Sequence, residues 1–108
     1  MERYREHSKL VRDRIPQIIR EAGAEPVIHT ADAEEYRARL REKLGEEVAE
    51  FLGADDAQAP EELADVLEVV YALAADLGVT QEQLEKIREA KAKERGGFAE
   101  RVVMSGNR

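Results

Sequence analysis

The stretch LREKLGEEVAEFLG, residues 40–53, carries the strongest signal in this 108-residue sequence. Its apolar residues recur every three or four positions, a spacing that predicts an amphipathic helix with one buried face. At about 100° per residue, Glu47 falls inside the apolar stripe beside Leu40, while Glu50 and Glu46 lie progressively outside it. Since an unpaired carboxylate is costly to bury, this helix predicts a site as well as a core.

The next apolar stretch, PEELADVLEVVYAL at residues 60–73, repeats the anomaly. Its apolar arc is wide, as in a helix that is buried on several sides. Glu62 falls inside that arc, and Asp65 lies about 40° beyond its edge at Val69. Two consecutive helices therefore each present an acidic pair at a spacing of three residues. Oxygen ligands on facing helices suit Mg²⁺ or Mn²⁺, so we predict a divalent metal site.

Two ordinary explanations of these acids remain open. The helix dipole favours acids in a first helical turn, which is where Glu61 and Glu62 stand. The acids of the preceding helix are also spaced to pair with Lys43 and with arginines across a solvated groove.

Helix start and stop signals divide the rest of the chain. We predict an all-α fold, an antiparallel bundle of about four helices in one domain, residues 1–108. We also predict a minor two-stranded β element that pairs residues 25–30 with residues 98–104. The predicted helices cover residues 11–22, residues 33 to about 52 after the cap Asp32, residues 61–77 after Pro60, and residues 81 to about 95 after the cap Thr80.

Composition narrows the function further. The absence of cysteine excludes disulfides, thiolate metal sites and a cysteine nucleophile. A net charge of −7 and 5% aromatic residues argue against a polymeric nucleic-acid partner. The sequence has no apolar run near the ~20 residues that span a bilayer, and residues 1–7 are polar, so we expect no membrane partner, no leader and a cytoplasmic location.

Basic residues flank the acidic centre on both sides. Lys91 shares the apolar face of the last helix, and Arg95 follows one turn later, so both are candidates for holding phosphate oxygens. Lys9, Arg12 and Arg14 form a second basic cluster near the amino terminus, and Lys9 and Arg12 are candidates for phosphate binding. The alternative is that such long cations only extend their charged ends from an apolar face into water.

Together these residues resemble the all-α nucleoside triphosphate pyrophosphohydrolases, a superfamily that includes MazG-like proteins, dimeric dUTPases and phosphoribosyl-ATP pyrophosphohydrolases. Residues 46–50 resemble its EExxE motif, and residues 62–65 its ExxD motif. Lys91, Arg95 and the following Gly96 and Phe98 are similar to its carboxyl-terminal ending. Residues 9–16 look like the start of a phosphoribosyl-ATP pyrophosphohydrolase-like subgroup. The resemblance covers roughly residues 8–103.

The resemblance implies a Mg²⁺-dependent hydrolase, with Mn²⁺ as a substitute, that releases pyrophosphate and a nucleoside monophosphate. It implies Glu47, Glu50, Glu62 and Asp65 as metal ligands, and Glu46 as an outer acid, a ligand of an additional metal, or the base that activates water. Lys91 and Arg95 would contact phosphates, and the chain would assemble as a homodimer or homotetramer. The short loop at residues 51–61 departs from the larger dUTPase-type relatives, and no aromatic residue stands out for stacking on a base.

Three functions fit these expectations. The first is a pyrophosphohydrolase of nucleoside triphosphates, including removal of non-canonical nucleotides. The second is the phosphoribosyl-ATP step of histidine synthesis, which shares the same metal chemistry. The third is a non-catalytic helical interaction module that retains the acids but turns nothing over.

Overall fold

A computed structural model describes residues 8–108 of the chain. It contains four helices there: α1 (Ile15–Glu21), α2 (Ala33–Gly53), α3 (Ala59–Asp76) and α4 (Gln81–Arg95). The prediction of an all-α fold is confirmed. No helix in this described part is long and apolar enough to cross a membrane. Residues 1–7, on which the prediction of no leader depends, lie outside the described part.

Side-chain caps set two of the predicted helix starts. The Asp32 carboxylate accepts a hydrogen bond of 2.8 Å from the backbone N–H of Glu35, which begins α2 at the next residue. Thr80 and Gln83 form a full capping box at the start of α4. These polar side chains satisfy backbone donors that a helix start leaves without partners.

Proline positions correct the starts of the other two helices. Helix α1 begins at Ile15 rather than at residue 11, because Pro16 is accommodated in a first turn. Helix α3 begins at Ala59, two residues before the predicted start at Glu61. A turn at Asp55 precedes this start, and in it the Asp55 carboxylate accepts a 2.9 Å hydrogen bond from the backbone N–H of Gln58.

Helices α2 and α3 form the antiparallel pair around which the protein is built. Arg37 near the start of α2 forms an ion pair of 2.9 Å with Asp76 at the end of α3, so the two helices run in opposite directions. Leu40, Val69 and Ala74 are the buried apolar residues of this pair. A short connection and facing apolar stripes place the acidic stretch of α2 beside the acidic start of α3.

Helix α4 packs only lightly, against α3. Of its apolar residues, Leu84 is half-buried, but Ile87 is 50% exposed. The radius of gyration is 18.0 Å, whereas a compact chain of this length has about 13 Å. A single chain therefore leaves much apolar surface uncovered.

The predicted two-stranded β element is wrong, because the structure has no strand within residues 8–108. Residues 25–30 have no regular secondary structure, and Phe98, Val102 and Val103 in the tail are almost fully exposed. An isolated pair of strands is marginal in water unless a further strand or a helix covers one face. Neither segment has such a cover among residues 8–108.

Candidate metal centre

Glu47 is the buried acid of α2. It is only 7% exposed, and it stands two turns after Leu40, the most buried residue of the core. Residues seven apart share a helix face, so the packing that buries Leu40 against α3 also buries the Glu47 carboxylate. The predicted position of Glu47 inside the apolar stripe is confirmed.

Glu62 and Asp65 face Glu47 from the first turns of α3. Both are partly buried. One oxygen from each of the three carboxylates lies within 4.8 Å of the others. The antiparallel arrangement brings residues that are 15 and 18 positions apart to one place, as the two acidic pairs predicted.

Two oxygens of this cluster are buried without a hydrogen-bond partner within residues 8–108: Glu47 Oε2 and Glu62 Oε2. Buried polar groups are almost always satisfied, and a buried carboxylate oxygen without a partner costs several kcal/mol. A divalent cation bonded to both oxygens would remove this cost. The donor set consists only of carboxylate oxygens, which is the type that Mg²⁺ and Mn²⁺ prefer, so the residues fit such an ion.

Glu50 lies at the exposed edge of the cluster. Its pKa is raised, first by the neighbouring Glu47 carboxylate, then by burial and by the charges of Glu62 and Glu46. Glu50 is not one of the three acids whose oxygens come together, but the negative charges of two of them, Glu47 and Glu62, act on it. The structure thus unites three of the four predicted ligands and places the fourth beside Glu47.

Cations stand on the outer side of the acids. Lys43 Nζ lies 3.2 Å from Glu47 Oε1 and 3.7 Å from Glu46 Oε1. Lys9 Nζ lies 3.7 Å from the same Glu46 oxygen. Arg12 donates a hydrogen bond of 2.6 Å to Asp65 Oδ1. Pairing of the acids with Lys43, the ordinary alternative, therefore does occur, but it leaves the inner oxygens without a partner.

Lys43 is a candidate site residue that the sequence prediction omitted. Its side chain is only 15% exposed, and it contacts both adjacent acids of the EExxE-like motif. Its spacing of four residues before Glu47 was a signal for an ion pair. Sequence alone did not show that the Lys43 side chain is also largely buried beside the acids and the cleft.

A cleft of about 400 Å³ opens beside the carboxylates. Glu47 and Asp65 reach one part of it, and apolar side chains form most of its wall. Tyr36 and Glu68 also line the cleft, and neither was among the site residues predicted from the sequence. Glu68 stands one turn after Asp65, so the three-residue spacing of the acids could have identified it. The apolar lining includes Leu10, Val11, Ile15, Ile18, Leu40 and Val69.

The structure does not bring Lys91 and Arg95 to the cluster. Both are exposed on α4, and neither forms an ion pair or a hydrogen bond with the acids in the described part of the chain. The light packing of α4 against α3 explains this separation. Their role in phosphate binding stays a prediction, whereas Lys9 and Arg12 do lie beside the acids.

The match of this chain to a family model places it in the all-α MazG-like nucleoside triphosphate pyrophosphohydrolase superfamily. Residues 9–92, more than half of the chain, match the phosphoribosyl-ATP pyrophosphohydrolase family, and the chain belongs to that family.

A protein of Mycolicibacterium smegmatis described as uncharacterized is 54% identical over 52 residues. The match covers 48% of this chain and 53% of the relative, so the similar region spans about half of each protein. No solved structure matches the chain.

Proposed function

We propose that this protein is a Mg²⁺-dependent nucleotide pyrophosphohydrolase that hydrolyses the bond between the α- and β-phosphates. Water adds across this phosphoanhydride, and the products are a nucleoside monophosphate and pyrophosphate. The pair of buried oxygens without partners, Glu47 Oε2 and Glu62 Oε2, is the observation that carries the proposal. A protein that used these acids only for stability would have paired both oxygens.

Four carboxylates would hold the ion: Glu47, Glu62 and Asp65 from the cluster, and Glu50 from its edge. Mg²⁺, or Mn²⁺ in its place, neutralises phosphate charge and makes a nearby water more acidic. Without such an ion the four acids would repel a polyanionic substrate. The carboxylates would therefore hold the ion in position, and its charge would allow the substrate to approach.

Glu46 would take the proton of the attacking water. It is adjacent to Glu47 in sequence but is only partly buried, and Lys9 and Lys43 both approach its Oε1 atom. These lysines hold the carboxylate in one orientation, which a general base requires. Lys9, Lys43 and Arg12 also supply positive charge beside the cluster, where phosphate oxygens would lie.

The cleft would receive the nucleoside part of the substrate. Its volume of about 400 Å³ lies at the small end of the range of small-molecule sites. Its wall is mainly apolar, which suits the faces of a flat heterocyclic base better than a second phosphorylated sugar. This feature favours a nucleoside triphosphate, including non-canonical ones, as the substrate.

The active assembly would be a homodimer or homotetramer. Leu63 and Leu67 on α3 are 51% and 47% exposed and lie one turn apart. Val48 and Leu52 form a matching exposed pair on α2. Contiguous apolar residues at helical spacing on two neighbouring helices are typical of a subunit interface. A second copy seated there would also offer its own Lys91 and Arg95 to the first.

The family match favours a second candidate substrate. The family is described by its action on phosphoribosyl-ATP, the substrate of a step in histidine synthesis. The same acids and the same attack of water at an α-phosphate would serve that reaction. The larger substrate would extend from the cleft into solvent.

The test is pyrophosphate release from a panel of canonical and modified nucleoside triphosphates and phosphoribosyl-ATP, with Mg²⁺ and with EDTA. We expect metal-dependent release, fastest with a nucleoside triphosphate. Release from phosphoribosyl-ATP alone would assign the second candidate. A folded protein that releases nothing across the panel would contradict the proposal and favour a non-catalytic helical module.

A further inference from the structure

Residues 9–14 form a non-helical segment that lies over the acidic cluster before α1 begins. The segment forms one wall of the cleft, with Leu10 and Val11 among the lining residues. Two of its cations hold it against the α2–α3 pair, and both do so through acids of the candidate site. Lys9 lies 3.7 Å from Glu46, and Arg12 lies 2.6 Å from Asp65.

The Arg12–Asp65 pair joins residues 53 positions apart, and it is open to water, with side chains 55% and 41% exposed. Exposed ion pairs are weak, and a divalent ion held by several carboxylates binds one acid more strongly than a single guanidinium does. A guanidinium and a divalent ion on one carboxylate also repel each other. Occupation of the cluster therefore acts against the Arg12 contact.

We propose that Arg12 is a built-in counter-ion that a divalent cation displaces from Asp65, and that this displacement loosens residues 9–14 from the mouth of the cleft. The inference rests on the proposed function, because it assumes that Asp65 is a metal ligand. It adds an order of events: metal first, then release of the segment, then entry of the nucleotide. The freed guanidinium remains beside the site, where it meets phosphate oxygens instead of a carboxylate.

The other end of the segment would stay in place. Arg39 Nη1 donates a hydrogen bond of 3.0 Å to the backbone carbonyl of Ser8, and this contact uses no acid of the cluster. Loosening would therefore begin after Ser8 and end at the first turn of α1. The device is a short strap that is fixed at both ends and held in the middle by the acids.

The first measurement is Mg²⁺ affinity without nucleotide, by calorimetry of the full chain at fixed ionic strength. Removal of the competitor in Arg12→Gln should tighten Mg²⁺ binding by about three- to fivefold, the upper part of the range for an exposed ion pair. Arg14→Gln removes the same charge from the same segment, and Arg14 makes no ion pair within residues 8–108. This control should stay within about twofold of the wild type, because salt screens exposed charges.

The second measurement is limited digestion of the wild-type protein with trypsin, which can cleave the segment after Lys9, Arg12 and Arg14. Mg²⁺ should accelerate cleavage within residues 9–14, because a loosened segment fits a protease better than one held against two helices. If Arg12→Gln binds Mg²⁺ no more tightly than Arg14→Gln, or if cleavage within residues 9–14 does not accelerate, the strap is wrong while the metal site stands. If neither the wild type nor either variant binds Mg²⁺, the strap and the proposed function fail together.

Discussion

The two halves of α2 carry the same kinds of residue but have opposite electrostatics. Near its start, Glu35 lies 2.9 and 3.0 Å from His29 Nε2 through its two oxygens and also accepts from Arg39, and its pKa is lowered mainly by His29. About four turns later, the pKa of Glu50 is raised, mainly by Glu47. The first half of the helix is arranged for stability. The second half brings like charges close together, which lowers stability, and such a loss is common where residues serve a function.

The largest expected effect falls on the second half. Glu47→Gln should lower pyrophosphate release by at least about 100-fold, because loss of even an outer metal partner costs 10- to 100-fold. The matched control is Glu61→Gln, which removes the same charge from an exposed position on α3 and should retain activity. Circular dichroism should show both variants folded. Near-normal activity in Glu47→Gln would exclude this carboxylate from the site.

The basic helix α4 offers a sharper form of the comparison, since its cations lie away from the acids of their own chain. Lys91 and Arg95 would then bind phosphates in the site of the partner subunit. In that case the Lys91→Ala/Arg95→Ala double variant and Glu47→Gln should each release pyrophosphate slowly when assayed alone. Mixed and re-equilibrated, they should regain about a quarter of wild-type activity, since half of random dimers pair one variant with the other and restore one of two sites. If the mixture regains no activity, Lys91 and Arg95 do not act in the partner's site.

The interface itself needs a separate check. Leu63→Glu/Leu67→Glu should convert the assembly to monomers in analytical ultracentrifugation, because it places charges in the exposed apolar face of α3. Val27→Glu is the control, since Val27 is 83% exposed on an extended segment and lies away from that face. If both variants sediment like the wild type, the exposed apolar face of α3 does not form a subunit interface.

Metal removal should change stability next. At 100 times its dissociation constant, Mg²⁺ should stabilise the fold by about 2.7 kcal/mol, which corresponds to roughly 10–20 °C in Tm for a domain of this size. Glu62→Gln should lose this gain, and Glu61→Gln should keep it. The EDTA sample needs matched ionic strength, so that screening alone does not mimic binding. An equal Tm with Mg²⁺ and with EDTA in the wild type would contradict the metal centre.

Local signals account for what the sequence predicted well. The caps at Asp32 and Thr80 placed α2 and α4, because a cap depends on residues within one turn. The helical projection placed Glu47 in the core and Glu50 at its edge, as the structure has them. For these two acids, the periodicity of a single helix was sufficient to predict burial.

Long-range contacts account for what the sequence did not predict. The bond from Arg12 to Asp65 joins residues 53 positions apart, and no local pattern indicates it. The predicted strands failed for the same reason, since pairing needs a covering element that neither segment encodes. The position of α4 depends on how much apolar surface faces α3, and only Leu84 among its large apolar residues is half-buried.

The smallest expected effect is on Tm, measured in EDTA. Substitution of an acid in the first half of α2 should change Tm in the opposite direction to substitution of an acid in the second half. The pKa of folded Glu35 is lowered from its ordinary 4.5, so its contribution to stability is present above that pH and is lost as the pH falls through the folded value. Glu35→Gln should therefore lower Tm at neutral pH and have less effect in acid. The pKa of Glu50 is raised instead, so stability is lost as the pH rises through the folded value. Glu50→Gln should raise Tm at neutral pH, and the exposed Glu34→Gln should change it little. If Glu35→Gln and Glu50→Gln shift Tm in the same direction, the acids near Glu47 do not repel one another, and the contrast between the two halves of α2 disappears.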